Sequence, residues 1–182
     1  MQHNNPIDAT RQWLATVVVG LNLCPFASRE LTANRVRFVE TAASSEEQVL
    51  MALEAELQCL KSDASIETIL LIHPDALQDF HEYNQFLNLA DGLLEQMSLD
   101  GIFQIASFHP DYQFGGTELD DVENCTNRSP YPMLHIIRED SLEAAIENFP
   151  DVSQIPVRNI ERMKRLGKDK MQKLLEACFD KH

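Results

Sequence analysis

The chain of 182 residues has no long apolar run and no cysteine pair at metal-binding spacing. No stretch approaches the roughly 18 apolar residues that a membrane span needs, and the N-terminus has neither the basic nor the apolar part of a secretion signal. The four cysteines lie far apart without a C-x-x-C, which argues against a zinc ribbon or a thioredoxin-like motif. We therefore expect a cytoplasmic protein with reduced thiols and no membrane partner.

Positive charge is also scarce. Fifteen Lys and Arg stand against 29 Asp and Glu, and eight of those basic residues fall within residues 158–182. A protein that binds nucleic acid needs a net basic surface to displace counterions from phosphates, so we expect no nucleic-acid partner. The basic tail is interpreted as a surface helix that complements the acidic body, with a partner-docking helix as the alternative.

Nucleotide-binding and metalloprotease fingerprints are missing as well. The sequence contains no Walker A motif, no G-x-G-x-x-G and no H-E-x-x-H. No motif therefore implies a cofactor, which stays unknown at this stage, and a divalent metal remains an open alternative. The oligomeric state is not indicated by any feature of the sequence.

The residues that are present alternate between helical and extended patterns. Periodicity and turn signals predict helices over 5–21, 45–61, 80–97, 140–148 and 156–178, and strands over 35–41, 66–73, 102–108 and 133–138. Ser44 and Glu47 have the spacing of a capping box, and Gly167 marks an irregularity in the last helix. Strands joined by helical crossovers are parallel. We predict an α/β (or α+β) fold: a single domain over residues 1–182 with about four strands in a mixed, largely parallel sheet flanked by helices.

The triplet His-Pro-Asp occurs twice, at 73–75 and at 109–111, each time where a predicted strand ends. If the predicted helix over 80–97 connects these two strands, both triplets emerge at the same carboxyl edge of the sheet, where open α/β sheets bind ligands. The first triplet leads into a helix, which suits ordinary turn chemistry. The second opens a long polar loop and is the better functional candidate.

That loop, residues 109–131, is the predicted site, because long segments without secondary structure are uncommon in compact domains unless they are functional or disordered. His109 suits a general acid or base near neutral pH, and Arg128 suits an anionic group. The predicted catalytic residues are His109, Asp111 and Glu123, and the predicted substrate-binding residues are Tyr112, Asn124, Asn127 and Arg128. The leading hypothesis is an enzyme that applies acid–base chemistry to a small anionic metabolite.

Other interpretations of the same loop stay open. His73, His109 and Asp111 offer nitrogen and oxygen ligands for a divalent metal, so a metal-dependent enzyme is the second hypothesis. A non-catalytic module that binds a ligand or a partner is the third. The polar side chains also suit a structural role, since Asn, Asp and Arg satisfy backbone groups in irregular segments.

Four segments resemble a known family: LNLCPFA at 21–27, FHPDYQFGGT at 108–117, ENCTNRSPYPMLHIIRE at 123–139 and IPVRNIERMKRLG at 155–167. On these segments the chain resembles the bacterial family catalogued as domain of unknown function 1415. The resemblance spans nearly the whole chain. It implies a small soluble bacterial protein, and it brings no catalytic residue or cofactor with it.

Overall fold

A computed structural model describes residues 5–180. The α-helices in this range are α1 (Pro6–Trp13), α2 (Ala27–Thr32), α3 (Glu46–Ser62), α4 (Phe80–Gln96), α5 (Glu139–Glu147), α6 (Ile155–Leu166) and α7 (Lys168–Glu176). The strands are β1 (Val36–Glu40), β2 (Thr68–Ile72), β3 (Phe103–Phe108) and β4 (Met133–Arg138). A π-helical segment covers Leu14–Val19, and 3₁₀ turns cover Val122–Thr126, Val152–Gln154 and Ala177–Phe179.

Capping side chains fix where several helices begin. Asn5 accepts a hydrogen bond from the backbone N–H of Asp8 at 2.8 Å, and Pro6 follows as the first residue of α1. Ser45 caps α3 by accepting from Gln48 N–H at 3.3 Å. The predicted cap at Ser44 was therefore wrong by one residue, because the Ser44 N–H instead donates to the Gln48 side chain.

The strand order is β1-β2-β4-β3, with β1 and β2 parallel and β4 antiparallel to both of its neighbours. The predicted mixed sheet flanked by helices is confirmed, but "largely parallel" is wrong, since two of the three neighbouring pairs are antiparallel. The reason is that β3 and β4 are joined by a loop instead of a helical crossover, so the chain turns back alongside β3. β1, β2 and β3 still point the same way.

Helices cover both faces of the sheet. On one face, α3 and α4 pack against Ile69, Leu71, Leu134 and Ile136. On the other face, α1, the π-helical segment and the C-terminal helices pack around alternate residues of the same strands, such as Leu70. The alternation follows from the two-residue period of a strand, which sends successive side chains to opposite faces.

Three local differences separate the predicted helices from the observed ones. The first helix changes to π-helical geometry after Trp13, and the short helix α2 was not predicted. The predicted C-terminal helix is divided at Gly167, whose φ of 77° lies in the left-handed region that favours glycine. The expected irregularity at Gly167 is thus confirmed as a break between α6 and α7.

The basic C-terminal helices pair with the acidic body. Lys164 lies 3.7 Å from Glu123, and Lys168 forms an ion pair with Asp120. Both acidic partners lie in the loop between β3 and β4. Among residues 5–180, no helix is both long and apolar enough to cross a membrane.

Candidate functional site

The two His-Pro-Asp triplets emerge at the same edge of the sheet, where β2 and β3 end. Tyr83 of α4 lies between the two histidines, with its ring centroid 6.0 Å from that of His73 and 5.0 Å from that of His109. The Tyr83 hydroxyl donates to Met133 O at 2.8 Å and accepts from Phe108 N–H at 3.0 Å. Both histidines are therefore packed against a buried tyrosine that ties α4 to the sheet.

His109 is fully buried, and both of its ring nitrogens have backbone partners. Asp111 N–H donates to Nδ1 at 3.0 Å, which leaves the proton on Nε2, and Nε2–H donates to Leu77 O at 3.1 Å. Burial lowers the pKa of His109 and outweighs the hydrogen bond to Leu77 O and the charge of Asp111, which raise it. In this geometry His109 is a neutral group that holds the loop to the turn before α4.

His73 has a similar environment with one group left unsatisfied. Its Nδ1–H donates to Ala76 O at 3.0 Å, while Nε2 is buried and has no hydrogen-bond partner within residues 5–180. Burial lowers the pKa of His73 to about 4, so the ring is neutral at pH 7. This arrangement suits the turn chemistry that the sequence suggested for residues 73–75.

Asn124 organises the loop from within. The side chain is fully buried, and its Oδ1 accepts from Phe114 N–H at 3.0 Å and from the Thr117 hydroxyl at 2.8 Å. Its Nδ2 donates to Glu118 O at 2.8 Å. All of these partners belong to the loop, so Asn124 stabilises the loop conformation.

Other predicted binding residues also contact backbone groups. Arg128 donates from Nε to Tyr112 O at 3.3 Å and from Nη2 to Leu119 O at 2.7 Å. Asn127 donates from Nδ2 to Ser107 O at 3.1 Å. These contacts connect distant parts of the loop with one another and with β3, as expected when a long irregular segment must satisfy its carbonyl groups.

The predicted catalytic residues lie on different sides of the loop. His109 packs against Phe80 of α4 at a centroid distance of 5.4 Å, whereas Glu123 faces Lys164 of α6. Asp111 is exposed. Within residues 5–180, no group of three or more His, Cys, Asp or Glu is placed to hold a metal ion. The assignments of catalytic, substrate-binding and metal-binding residues remain predictions.

The main cavity of the described protein lies elsewhere, over the face of the sheet opposite α3 and α4. It has a volume of about 290 Å³, near the lower end of the range of about 300–1,000 Å³ typical of ligand pockets. The sheet contributes Thr68, Leu70, Ala106, Phe108, His135 and Ile137 to its floor. The walls come from the N-terminal helical segment, from α2 with the turn before it, and from α5.

The two short helices over this cavity, α2 and α5, have no buried residue. On α5, Leu142 and Ala145 line the cavity and are only partly buried, while Ile146 is 37% exposed. Apolar side chains that face an unfilled space lose the dispersion contacts that close packing would give them. The cavity thus leaves apolar surface of α2 and α5 available to another molecule.

A polar pair lies on the floor of the cavity. The Thr68 hydroxyl lies 2.6 Å from His135 Nε2 and 2.6 Å from Ile136 O. Because a carbonyl oxygen can only accept, the hydroxyl donates its one proton to Ile136 O and accepts from His135 Nε2–H. Burial lowers the pKa of His135 to about 4, so the imidazole is neutral at pH 7.

The charged groups at one end of the cavity are paired within the protein. Arg35 forms an ion pair with Glu67 and lies 3.5 Å from Glu30. Arg138 donates to three backbone carbonyls, those of Leu60, Ile66 and Asp63. No net charge is left at this end to balance a charged ligand, since two arginines accompany two glutamates.

A second, smaller cleft of about 230 Å³ lies between the loop and α7. Its lining includes Arg128, Ser129, Lys168, Gln172 and the buried Cys125. Burial raises the pKa of the Cys125 thiol, although the nearby Arg128 opposes the shift. Arg128, the predicted anion-binding residue, and Lys168 of the basic tail thus line the same cleft.

Sequence reasoning missed the main cavity. Its signal was a lone histidine inside an apolar strand, His135 in MLHIIR, together with Thr68 at the start of β2. Neither residue belongs to a motif, and their hydrogen bond joins positions 67 residues apart. Only the pairing of β2 with β4 brings them together.

The fold and the cavity define a mixed α+β domain with a space of ligand size between its sheet and its shorter helices. A family model described as protein of unknown function (DUF1415) matches residues 5–173, so the chain belongs to this family. The resemblance seen in the sequence is confirmed.

The chain is also similar to the kinetochore protein ndc-80 of Caenorhabditis elegans, with 28% identity over 141 residues. The match covers 74% of this chain but only 21% of that protein, so the chain spans about a fifth of the length of this relative. No solved structure matches the chain.

Proposed function

We propose that this protein binds a small, mainly apolar molecule in the cavity between the sheet and helices α2 and α5. This is the ligand-binding alternative considered from the sequence, placed at a different location from the loop. The observation that supports this proposal most directly is a cavity of about 290 Å³ covered by two helices with no buried residue. A ligand there would restore the packing that these helices lack.

Three features of the surrounding structure support the proposal. The π-helical segment contributes Leu14 and Val18 to the wall, and π-helical turns occur frequently at functional sites. The floor is built on β-strands held in register by three neighbouring pairs, which gives the site a rigid base. Apolar walls with few polar groups are also the usual composition of a small-molecule pocket.

The test is a titration of ¹⁵N-labelled protein with cyclohexanol, followed by NMR. Trp13 lines the cavity and is the sole tryptophan of the chain, so its indole N–H gives one assignable signal. We expect saturable shifts of this signal and of the amide signals of α5. Shifts that grow linearly without saturation, or that fall outside the cavity, would contradict the proposal.

Two neighbouring alanines of α5 provide a matched pair of variants. Ala145 lines the cavity, whereas Ala144 is exposed. Ala145→Phe should fill the space and abolish the saturable shifts, while Ala144→Phe should leave them unchanged. Equal effects of the two substitutions would mean that cyclohexanol binds elsewhere.

A second candidate function keeps the ligand that the sequence suggested, a small anion held by Arg128. The observation that favours it is that Arg128 and Lys168 both line the second cleft. Malonate should then raise the melting temperature of the wild type and of Lys170→Gln, which changes an exposed lysine, but not of Lys168→Gln. The same stabilisation in all three proteins would indicate a general salt effect and reject this candidate.

An acid–base reaction by His109 is less well supported by the geometry. Both ring nitrogens are already engaged and the residue is fully buried, so His109 would have to break a backbone hydrogen bond before it exchanged a proton with a ligand. Catalysis at the loop would therefore require a conformation that differs from the one described.

A further inference from the structure

The neutral imidazole of His135 presents a hydrogen-bond acceptor to the main cavity. Its Nε2–H is directed to the Thr68 hydroxyl, so Nδ1 carries the lone pair. Among residues 5–180, no hydrogen bond to Nδ1 is formed, and Nδ1 is not one of the fully buried unsatisfied atoms. The acceptor is thus accessible from the cavity, which His135 lines.

Thr68 controls which ring nitrogen of His135 carries the proton. Its hydroxyl has a single proton, and Ile136 O at 2.6 Å takes it, since a carbonyl cannot donate. Thr68 therefore only accepts from His135, which holds the ring in the Nε2–H tautomer. A histidine whose tautomer is fixed in this way offers one defined acceptor instead of a group that adapts to any ligand.

The other polar groups around the cavity do not select a charged molecule. Glu30 and Glu67 form ion pairs with Arg35, although the buried Oε2 of Glu30 has no hydrogen-bond partner among residues 5–180, and Arg138 donates to backbone carbonyls. A charged ligand would lose its hydration in an apolar space without gaining an unpaired counter-charge. A neutral ligand avoids this penalty.

From this geometry we propose that the natural ligand is a neutral, mainly apolar molecule with one hydrogen-bond donor, a hydroxyl or an amide N–H, which binds His135 Nδ1. The inference rests on the proposed function of the cavity and adds the chemical class of its ligand. His135 is the specificity-determining residue, and Thr68 is the positioning residue that keeps Nδ1 free of its proton.

The test compares cyclohexanol with cyclohexanone, which has nearly the same shape but no donor. One net hydrogen bond corresponds to about a fivefold difference in affinity, so we expect the wild type to bind the alcohol about five times more tightly by NMR titration. His135→Phe keeps an aromatic ring and removes the acceptor. This variant should bind both compounds with equal affinity.

The Thr68 variants test the positioning role separately from folding. Thr68→Ser retains the hydroxyl and should retain the preference for the alcohol. Thr68→Val frees the imidazole to move its proton to Nδ1, which would then donate, so the preference should disappear or turn toward the ketone. Long-range ¹H–¹⁵N spectra of the histidine ring should report the Nε2–H tautomer in the wild type and in Thr68→Ser.

The possible results separate the two proposals. Equal affinities of the wild type for alcohol and ketone would overturn the inference about His135 while leaving a ligand-binding cavity. A preference for the alcohol that survives in His135→Phe would overturn it too. If neither compound binds the wild type, the proposed function is wrong, and the inference about His135 is then wrong as well.

Discussion

The indole N–H of Trp13 donates to the carbonyl oxygen of Arg128 across 3.0 Å, which joins the N-terminal helix to the polar loop 115 residues further along the chain. The Trp13 ring also meets Phe108 edge to face, with centroids 5.1 Å apart. One side chain therefore links a wall of the main cavity to the loop that borders the second cleft. A substitution in either region should therefore affect the structure of the other.

Replacing Trp13 by Phe should destabilise the protein by about 2 kcal/mol. Trp13 is 1% exposed, so the substitution removes buried volume and also leaves the carbonyl of Arg128 without its donor. Urea unfolding followed by circular dichroism measures the effect, since the variant has no tryptophan left for fluorescence. A loss below about 0.5 kcal/mol would mean that the hydrogen bond contributes little.

Acid should destabilise the fold through His73 and His135, which the folded protein holds in their neutral form. Burial lowers the pKa of His73 and of His135 to about 4, whereas an unfolded histidine titrates near 6.5. The unfolded state thus takes up protons first as the pH falls. The contribution of these two histidines to the free energy of unfolding is fully present above about pH 6.5 and is lost progressively toward pH 4.

His135→Phe checks this source of acid sensitivity. Urea unfolding of the wild type at pH 7 and pH 5 should show a drop of about 2 kcal/mol for each histidine held neutral in the fold, as each pH unit below 6.5 corresponds to about 1.4 kcal/mol. The variant should lose less stability than the wild type over the same interval. An identical pH dependence in both proteins would show that the folded protein does not hold His135 in its neutral form.

The loop amides should affect stability in proportion to their hydrogen bonds. The fully buried side chain of Asn124 forms hydrogen bonds with four loop groups, whereas that of Asn127 donates to Ser107 O. We expect Asn124→Ala to cost roughly 2–3 kcal/mol and Asn127→Ala about 1 kcal/mol. Amide hydrogen exchange at Phe114 should accelerate in Asn124→Ala only.

The opposite order of stability losses would contradict this account of the loop. If Asn127→Ala proved more damaging to stability than Asn124→Ala, the internal network around Asn124 would not be what holds the loop in place. If neither variant changed stability but both weakened the response to malonate, the substrate-binding role predicted for these residues would be supported.

Much of the fold could be predicted from local patterns. The stripes of α3 and α4 and the apolar runs of the strands reflect burial on one face, a property that each segment carries in its own sequence. The placement of both His-Pro-Asp triplets at one edge followed from the crossover through α4. Gly167 marked the break in the C-terminal helix because glycine adopts its left-handed conformation without strain.

The remainder depends on contacts between distant segments. The direction of β4 is set by how the loop returns along β3, and no residue within MLHIIR encodes it. The cavity likewise forms where the N-terminal helical segment, α2 and α5 meet over the sheet. The hydrogen bond between Thr68 and His135 exists only when β2 pairs with β4. The loop is rich in Asn, Asp and Arg, which suggested a functional site, yet three of these side chains, Asp121, Asn124 and Arg128, bind the backbone of the loop itself.

The central claim is that the space over β2, β3 and β4 is a ligand site, and a crystal soaked with 2-bromocyclohexanol tests it most directly. The anomalous signal of bromine locates the compound without any assumption about its orientation. We predict one ordered bromine between Trp13 and α5, with the hydroxyl of the compound within hydrogen-bond distance of His135 Nδ1. An empty cavity at saturating compound, or bromine found only in the cleft beside Arg128, would contradict the account.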